Sequence, residues 1–141
     1  MAKKIIFFAV LTLAISLNSI AFGADKDAPQ DLVIKEMIAL DKAFKVTIDA
    51  IVLNQPDKIP PAFEEAHKMR EEIKKAVKEG KKITLPKKQE RFKTFIGLDN
   101  RFHKEVEILI ESATKKHMGR VQKQANRLLG LCVRCHAMFR N

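Results

Sequence analysis

The amino-acid sequence predicts an all-α protein folded as an antiparallel up-down-up-down four-helix bundle. Three observations carry that expectation. Apolar residues recur at steps of three and four in four successive stretches, which is the period of an amphipathic helix. Nowhere does an alternating apolar-polar pattern mark a strand. With five glycines and five prolines in 141 residues, the chain has few turn residues to spend on a many-stranded sandwich or barrel. A composition of 46% hydrophobic and 31% charged residues is that of one ordinary globular domain rather than of a disordered or multi-span membrane chain.

The first segment reads as an address label. Lys3 and Lys4 precede a run from Ile5 to Leu17 that is apolar except for Thr12 and Ser16, and Ala21-Phe22-Gly23 supplies the small-residue pattern of a cleavage site. A helix of that run rises only about 20 Å, short of the roughly 30 Å of a hydrocarbon core. The expectation is a secretory signal peptide over 1–23, cleaved after Gly23, and a mature domain over 24–141. Export argues against nucleic acid as the partner of a chain with net charge +10, and leaves a solvated basic surface or docking to an acidic protein or anionic membrane.

The four helices follow in order. From Asp31, the residues Val33, Met37, Leu40, Phe44, Ile48 and Ile51 make one apolar face, ended by Asn54-Gln55-Pro56. After Ile59-Pro60-Pro61 a second stretch carries Phe63, Ala66, Ile73 and Val77 and stops at Gly80, a natural helix C′ residue. Thr84-Leu85-Pro86 begins again, and the third face is Phe92, Phe95, Phe102, Val106, Leu109 and Ala113, ending near His117 to Gly119. The fourth is Val121, Ala125, Leu128, Cys132, Cys135 and Phe139. Short connections make sequential helices antiparallel neighbours.

Both cysteines of the chain lie in Cys132-Val133-Arg134-Cys135, with His136 directly after them. Cys-x-x-Cys-His is the attachment signature of c-type haem. Positions three apart on a helix share nearly one face, so two thiols can form thioethers with the two vinyl groups while the next residue turns its imidazole to the iron. His136 would be the proximal iron ligand, with haem c as the cofactor. Three other chemistries use such a pair. A redox dithiol usually sits at a helix N-terminus beside a strand, a zinc site needs a fourth ligand, and a plain disulfide between i and i+3 needs nothing else.

Continued as Cys132-Val-Arg-Cys135-His136-Ala-Met-Phe139-Arg140 near the C-terminus of a four-helix chain, the motif resembles that of the class II cytochromes c, the cytochrome c′ family. The resemblance implies that Phe139 packs at the haem and that Arg140 lies near His136 and the haem edge. It also implies that the first helix forms the distal wall. There the family either supplies a methionine ligand, giving a low-spin electron carrier, or presents an apolar residue and leaves the iron five-coordinate and open to nitric oxide or carbon monoxide. Such proteins are often homodimers through their first two helices.

In an antiparallel bundle the end of the fourth helix, the start of the first and the second-to-third connection share one pole, and the haem belongs there. At 1.5 Å per residue, His136 lies roughly 6 to 8 Å from that pole and Met37 roughly 10 Å, while His67 and His103 lie about 18 to 22 Å away. His67, His103 and His117 are therefore expected at the surface or at helix ends. Met37 is the candidate distal ligand, with Leu40 and Phe44 as the other candidates for the pocket wall. Lys74, Lys75, Lys78, Lys81, Lys82, Lys87 and Lys88 gather around the connection at the same pole, where they could steer an acidic redox partner toward the haem edge or serve only as a solvated loop.

The expected function is one-electron transfer by a periplasmic c-type haem protein. The alternative is a five-coordinate binder of nitric oxide or carbon monoxide. A bundle in which the haem is mainly structural is a third, weaker option. No paired nucleophile and base can be placed near the iron, so an enzyme is not expected.

Overall fold

The structure, a computed structural model, describes residues 29–140. The expected signal peptide over 1–23 lies outside them. Four long helices, with no strand among the described residues, form an all-α bundle with antiparallel neighbours. They are α1 (Pro29–Val52), α3 (Glu64–Lys78), α4 (Phe92–Thr114) and α5 (Met118–Phe139), and a single turn, α2 (Ile59–Ala62), leads into α3. Helix α1 packs along α3 and also against α5, and α4 packs along α5. Helices α3 and α4 are bridged by the long side chain of Arg70, which donates to Asn100 at 3.3 Å and reaches the Glu107 carboxylate at 3.8 Å. No helix among the described residues is long and apolar enough to cross a membrane.

Three of the helix ends share one construction. Asn54, Gly80 and Lys116 have positive φ of 54, 72 and 55°, and the next residue's N–H reaches back to a carbonyl five residues earlier. These bonds are Gln55 to Ala50, Lys81 to Ala76 and His117 to Ser112. Each is a Schellman closure, which satisfies carbonyls that the helix leaves open and reverses the chain quickly. Glycine meets the left-handed requirement of Gly80 without strain, as its position predicts. After Asn54, Pro60 and Pro61 sit in the first turn of α2, where a missing N–H costs nothing, so helix begins at Ile59 rather than beyond the prolines.

The core has two parts. The larger runs through the middle of the bundle and buries Ile59, Phe63, Val106, Leu109, Val121 and Leu128 almost completely. The smaller caps one pole and joins Val33, Ile73, Ala76, Ile83, Leu85, Phe95 and Phe139. Removing one such large side chain from water contributes about 1.5–3 kcal/mol.

The buried face of α1 is rotated from the apolar stripe. Its innermost residues are Val33, Glu36, Ala39, Leu40, Ala43, Thr47 and Ala50, while Met37, Phe44 and Ile51 are half-buried and Ile48 is exposed. Alanines count little in an apolar tally, yet their small side chains let neighbouring helices approach closely. Thr47 satisfies its hydroxyl on the Ala43 carbonyl at 2.9 Å. Glu36 needs an external partner and finds one on α4.

The connection from α3 to α4 is a second departure. Thr84-Leu85-Pro86 does not start a helix; α4 begins at Phe92 after a short 3-10 turn over Gln89–Arg91. Residues between Lys81 and Lys88 run irregularly and push Ile83 and Leu85 into the smaller core at the pole. Gln89 holds them there. Its amide oxygen accepts from the Leu85 N–H at 2.8 Å and its amide nitrogen donates to the Ile83 carbonyl at 2.9 Å. Gln89→Ala should therefore leave two part-buried backbone groups unmatched and lower stability by about 1–3 kcal/mol in urea denaturation. Unchanged stability in that variant would mean that the clamp contributes nothing.

Candidate functional site

The last turns of α5, the first turns of α1, the start of α4 and the 81–88 connection converge on the pole capped by the smaller core. Between them opens a cleft of about 640 Å³. Val33, Ile34, Met37, Ile38 and Asp41 line it from α1, Leu85 and Pro86 from the connection, Phe95 from α4, and Cys135, His136, Phe139 and Arg140 from the end of α5. A second, smaller cavity of about 40 Å³ lies behind it. The two share Met37, Phe95, Cys135 and His136 as walls, and the smaller adds Leu40, Leu98, Asp99, Phe102, Leu131 and Cys132.

The motif residues are thus placed together by α5 alone, since steps of three and four keep Cys132, Cys135, His136 and Phe139 along one side of it. Cys132 and Cys135 are free thiols, both half-buried. Burial pushes both thiols up from their ordinary pKa, and the nearby Asp99 carboxylate adds to the rise at Cys135. That is opposite to the depressed pKa of a nucleophilic Cys-x-x-Cys pair. His136 is half-buried in the last turn of α5 and faces both cavities. Phe139 is 4% exposed and packs edge-on against Phe95, with ring centroids 5.6 Å apart and an interplanar angle of 84°. Arg140 is exposed at the rim.

On the α1 side, Met37 is half-buried and touches both core clusters and both cavities. Leu40 is buried and lines the smaller cavity. Phe44 lines neither. Four residues of helix carry it about 6 Å further from the pole than Leu40, into the packing of the larger core. Phe95, Leu85 and Pro86 complete the wall, a role that their place in the sequence does not mark. Phe95 is legible as a core aromatic, but its position in the cleft depends on how α4 meets α5.

The cleft suits the group that the motif suggests. Its volume falls within the roughly 300–1,000 Å³ of ordinary cofactor pockets, its walls are chiefly apolar, and a thiol and an imidazole stand in them. Cys132, Cys135 and His136 are the residues that would hold a haem c.

No protein-family model matches the chain, and no significant similarity to a curated protein or a solved structure is found.

Deeper than the cleft lies a polar cluster. His103 is fully buried, which overturns the surface or helix-end placement expected of it, and His67 is half-buried with its ring centroid 6.2 Å away. Only His117 lies exposed at a helix end as expected. The reason is the rotation of α1, which turns Glu36 inward to meet α4. The Nε2 atom of His103 stands 2.8 Å from Glu36 Oε1 and 3.6 Å from Asp99 Oδ1. Burial pushes Glu36 up to about 7 against the lowering pull of Arg70, and burial together with Glu36 pushes Asp99 up to about 6. Burial likewise holds His103 down at about 4, so its imidazole is neutral at pH 7.

These shifts pull stability in opposite directions. The raised carboxyls stabilise the fold fully below their unfolded values of 4.5 and 3.8, and that contribution is lost as pH rises through about 7 and 6. The lowered imidazole stabilises it above its unfolded value of 6.5 and loses that contribution as pH falls through about 4. Glu36→Gln keeps a hydrogen-bonding amide but cannot ionise. In EDTA-containing buffer it should gain stability relative to the wild type as pH rises from about 5 to 7, read from paired urea curves. A constant difference across that range would show that Glu36 does not titrate there.

Proposed function

We propose that the chain is an exported c-type haem protein that carries single electrons, with haem held covalently by Cys132 and Cys135 and His136 as its proximal iron ligand. The observation that carries this is the placement of Cys135 and His136 in the wall of one apolar cleft, with Met37 of α1 in the same wall. The haem would supply the one-electron redox centre. Phe139, Phe95, Leu85 and Val33 would keep water from most of it, which together with axial ligation and hydrogen bonding sets the potential of such centres. Met37 is the proposed sixth ligand, since it reaches both cavities from the helix that faces His136. Arg140 and Asp41 bring opposite charges to the rim of the same cleft, where they can position polar haem substituents and partner groups.

Haem should remain bound through denaturation in the wild type and be lost from Cys132→Ala/Cys135→Ala. The reduced protein should show a sharp low-spin α-band without rapid carbon monoxide binding, and Met37→Ala should convert it to a high-spin, carbon-monoxide-binding form. A broad high-spin spectrum and a five-coordinate nitrosyl in the wild type would overturn methionine ligation and favour the gas-binding alternative. Absence of covalent haem after co-expression with a c-type maturation system would overturn the haem function altogether.

The basic pole supports docking to an acidic redox partner. Lys74 pairs with Glu71 at 2.6 Å, and Lys81 and Lys75 reach Glu79 at 3.0 and 3.9 Å. Lys78, Lys82, Lys87 and Lys88 form no ion pair among the described residues, and the last two adjoin Pro86 at the cleft. Electron exchange with an acidic partner should slow steeply with ionic strength. Reversing these four lysines to glutamate should abolish that dependence; salt-independent exchange in the wild type would count against docking here.

A further inference from the structure

We propose that Glu36 of α1 with Asp99 and His103 of α4 forms a second site, separate from the Cys-x-x-Cys-His motif, which binds one divalent transition-metal ion of the zinc type.

The geometry is that of a three-ligand set. One donor atom from each residue lies within 4.8 Å of the other two. Around His103 Nε2 the separations are 2.8 Å to Glu36 Oε1 and 3.6 Å to Asp99 Oδ1. Ligands held tetrahedrally at about 2.0–2.2 Å from zinc stand roughly 3.3–3.6 Å apart, so small side-chain adjustments bring the three to bonding distance. Asp99 and His103 are four residues apart on one helix face, and Glu36 meets them from another helix. Donors on two rigid helices are fixed more firmly than donors on loops.

Protein groups alone do not complete the cluster. Glu36 and His103 are 0% exposed, yet Glu36 Oε2 and His103 Nδ1 have no hydrogen-bond partner. Buried polar atoms are normally satisfied, so the orphaned second oxygen of the Glu36 carboxylate, next to the His103 and Asp99 donors, marks a place that asks for another group, whereas His103 Nδ1 lies across the ring from Nε2 and faces away from that place. A cation in contact with Glu36 can take up the second carboxylate oxygen as well as the first.

The neutral imidazole is the form that binds metal, and the two carboxyls would bind an ion as carboxylates, releasing the protons that burial otherwise favours there. The positive groups acting on the cluster are Arg70 and, more weakly, Lys74. Arg70 turns its terminal nitrogens toward Asn100 and Glu107, and its Nε has no partner. Among the described residues neither forms an ion pair with Glu36 or Asp99. Access runs past Asp99, whose side chain is 12% exposed and lines the smaller cavity beside Cys132 and Cys135. One nitrogen and two oxygen donors suit zinc, with the fourth tetrahedral position left to water.

Zinc can be titrated into the full-length chain after removal of metals by EDTA, with bound zinc counted after gel filtration and its coordination read by zinc-edge X-ray absorption. The expected result is one zinc per chain with a shell of nitrogen and oxygen at about 2.0–2.1 Å and no sulfur near about 2.3 Å. Asp99→Asn, the least buried change of the three, should weaken binding by more than about tenfold, as should Glu36→Gln. No retained zinc, a sulfur shell, or unchanged affinity in both variants would overturn the site. A sulfur shell would place the metal on Cys132 and Cys135 instead, an outcome that also bears against thioether formation. Because the nitrogen-oxygen shell is read whether or not haem is attached, this test stands apart from the haem assignment.

Discussion

The edge-on contact between Phe95 and Phe139 is what the pole around the cleft depends on. It joins the beginning of α4 to the last turn of α5, and around it gather Val33, Ile73, Ile83 and Leu85 from every other element that reaches this end. Without it the final turn of α5, which carries His136, would be a fraying helix end with four open carbonyls. The contact therefore gives a helix terminus the rigidity of a core. Arg140 donates its N–H to the His136 carbonyl at 2.9 Å, which closes that last turn.

The same packing explains why the cleft lies beside the motif rather than within it. Phe95 and Phe139 line the cleft, and the irregular connection supplies a wall because Gln89 holds Leu85 and Ile83 in place by one hydrogen bond to each. A helix there would have turned half its residues outward. An extended segment instead sends Ile83 and Leu85 inward while its neighbouring lysines stay in water. Apolar enclosure and a basic rim thus arise from one short stretch of chain.

Helix α1 connects the cleft with the buried polar cluster. Met37 looks into the cleft, and its neighbour Glu36 turns to His103 on the other side of the same helix turn. Adjacent residues on a helix point about 100° apart, so one helix can face the cleft with one residue and a polar cluster with the next. Asp99 lies at the boundary, lining the smaller cavity with the cysteines while standing 3.6 Å from His103.

The four helices, their antiparallel order and the common pole were legible from the sequence, because each depends on local periodicity and on short connections. The grouping of Cys132, Cys135, His136 and Phe139 on one side of a helix was legible for the same reason. The placement of His103, the packing of Phe44 against the larger core and the role of Gln89 were not. Apolar content weighs Ile48 above Ala43 and has no place for Glu36 or Thr47, yet close helix packing prefers the small residue and a partnered polar group can be buried. Which face of α1 is buried is a property of the space between helices, and only the tertiary structure decides it. By itself the sequence determined the elements and the motif; the assembly determined the walls around the motif and the company that Glu36 keeps.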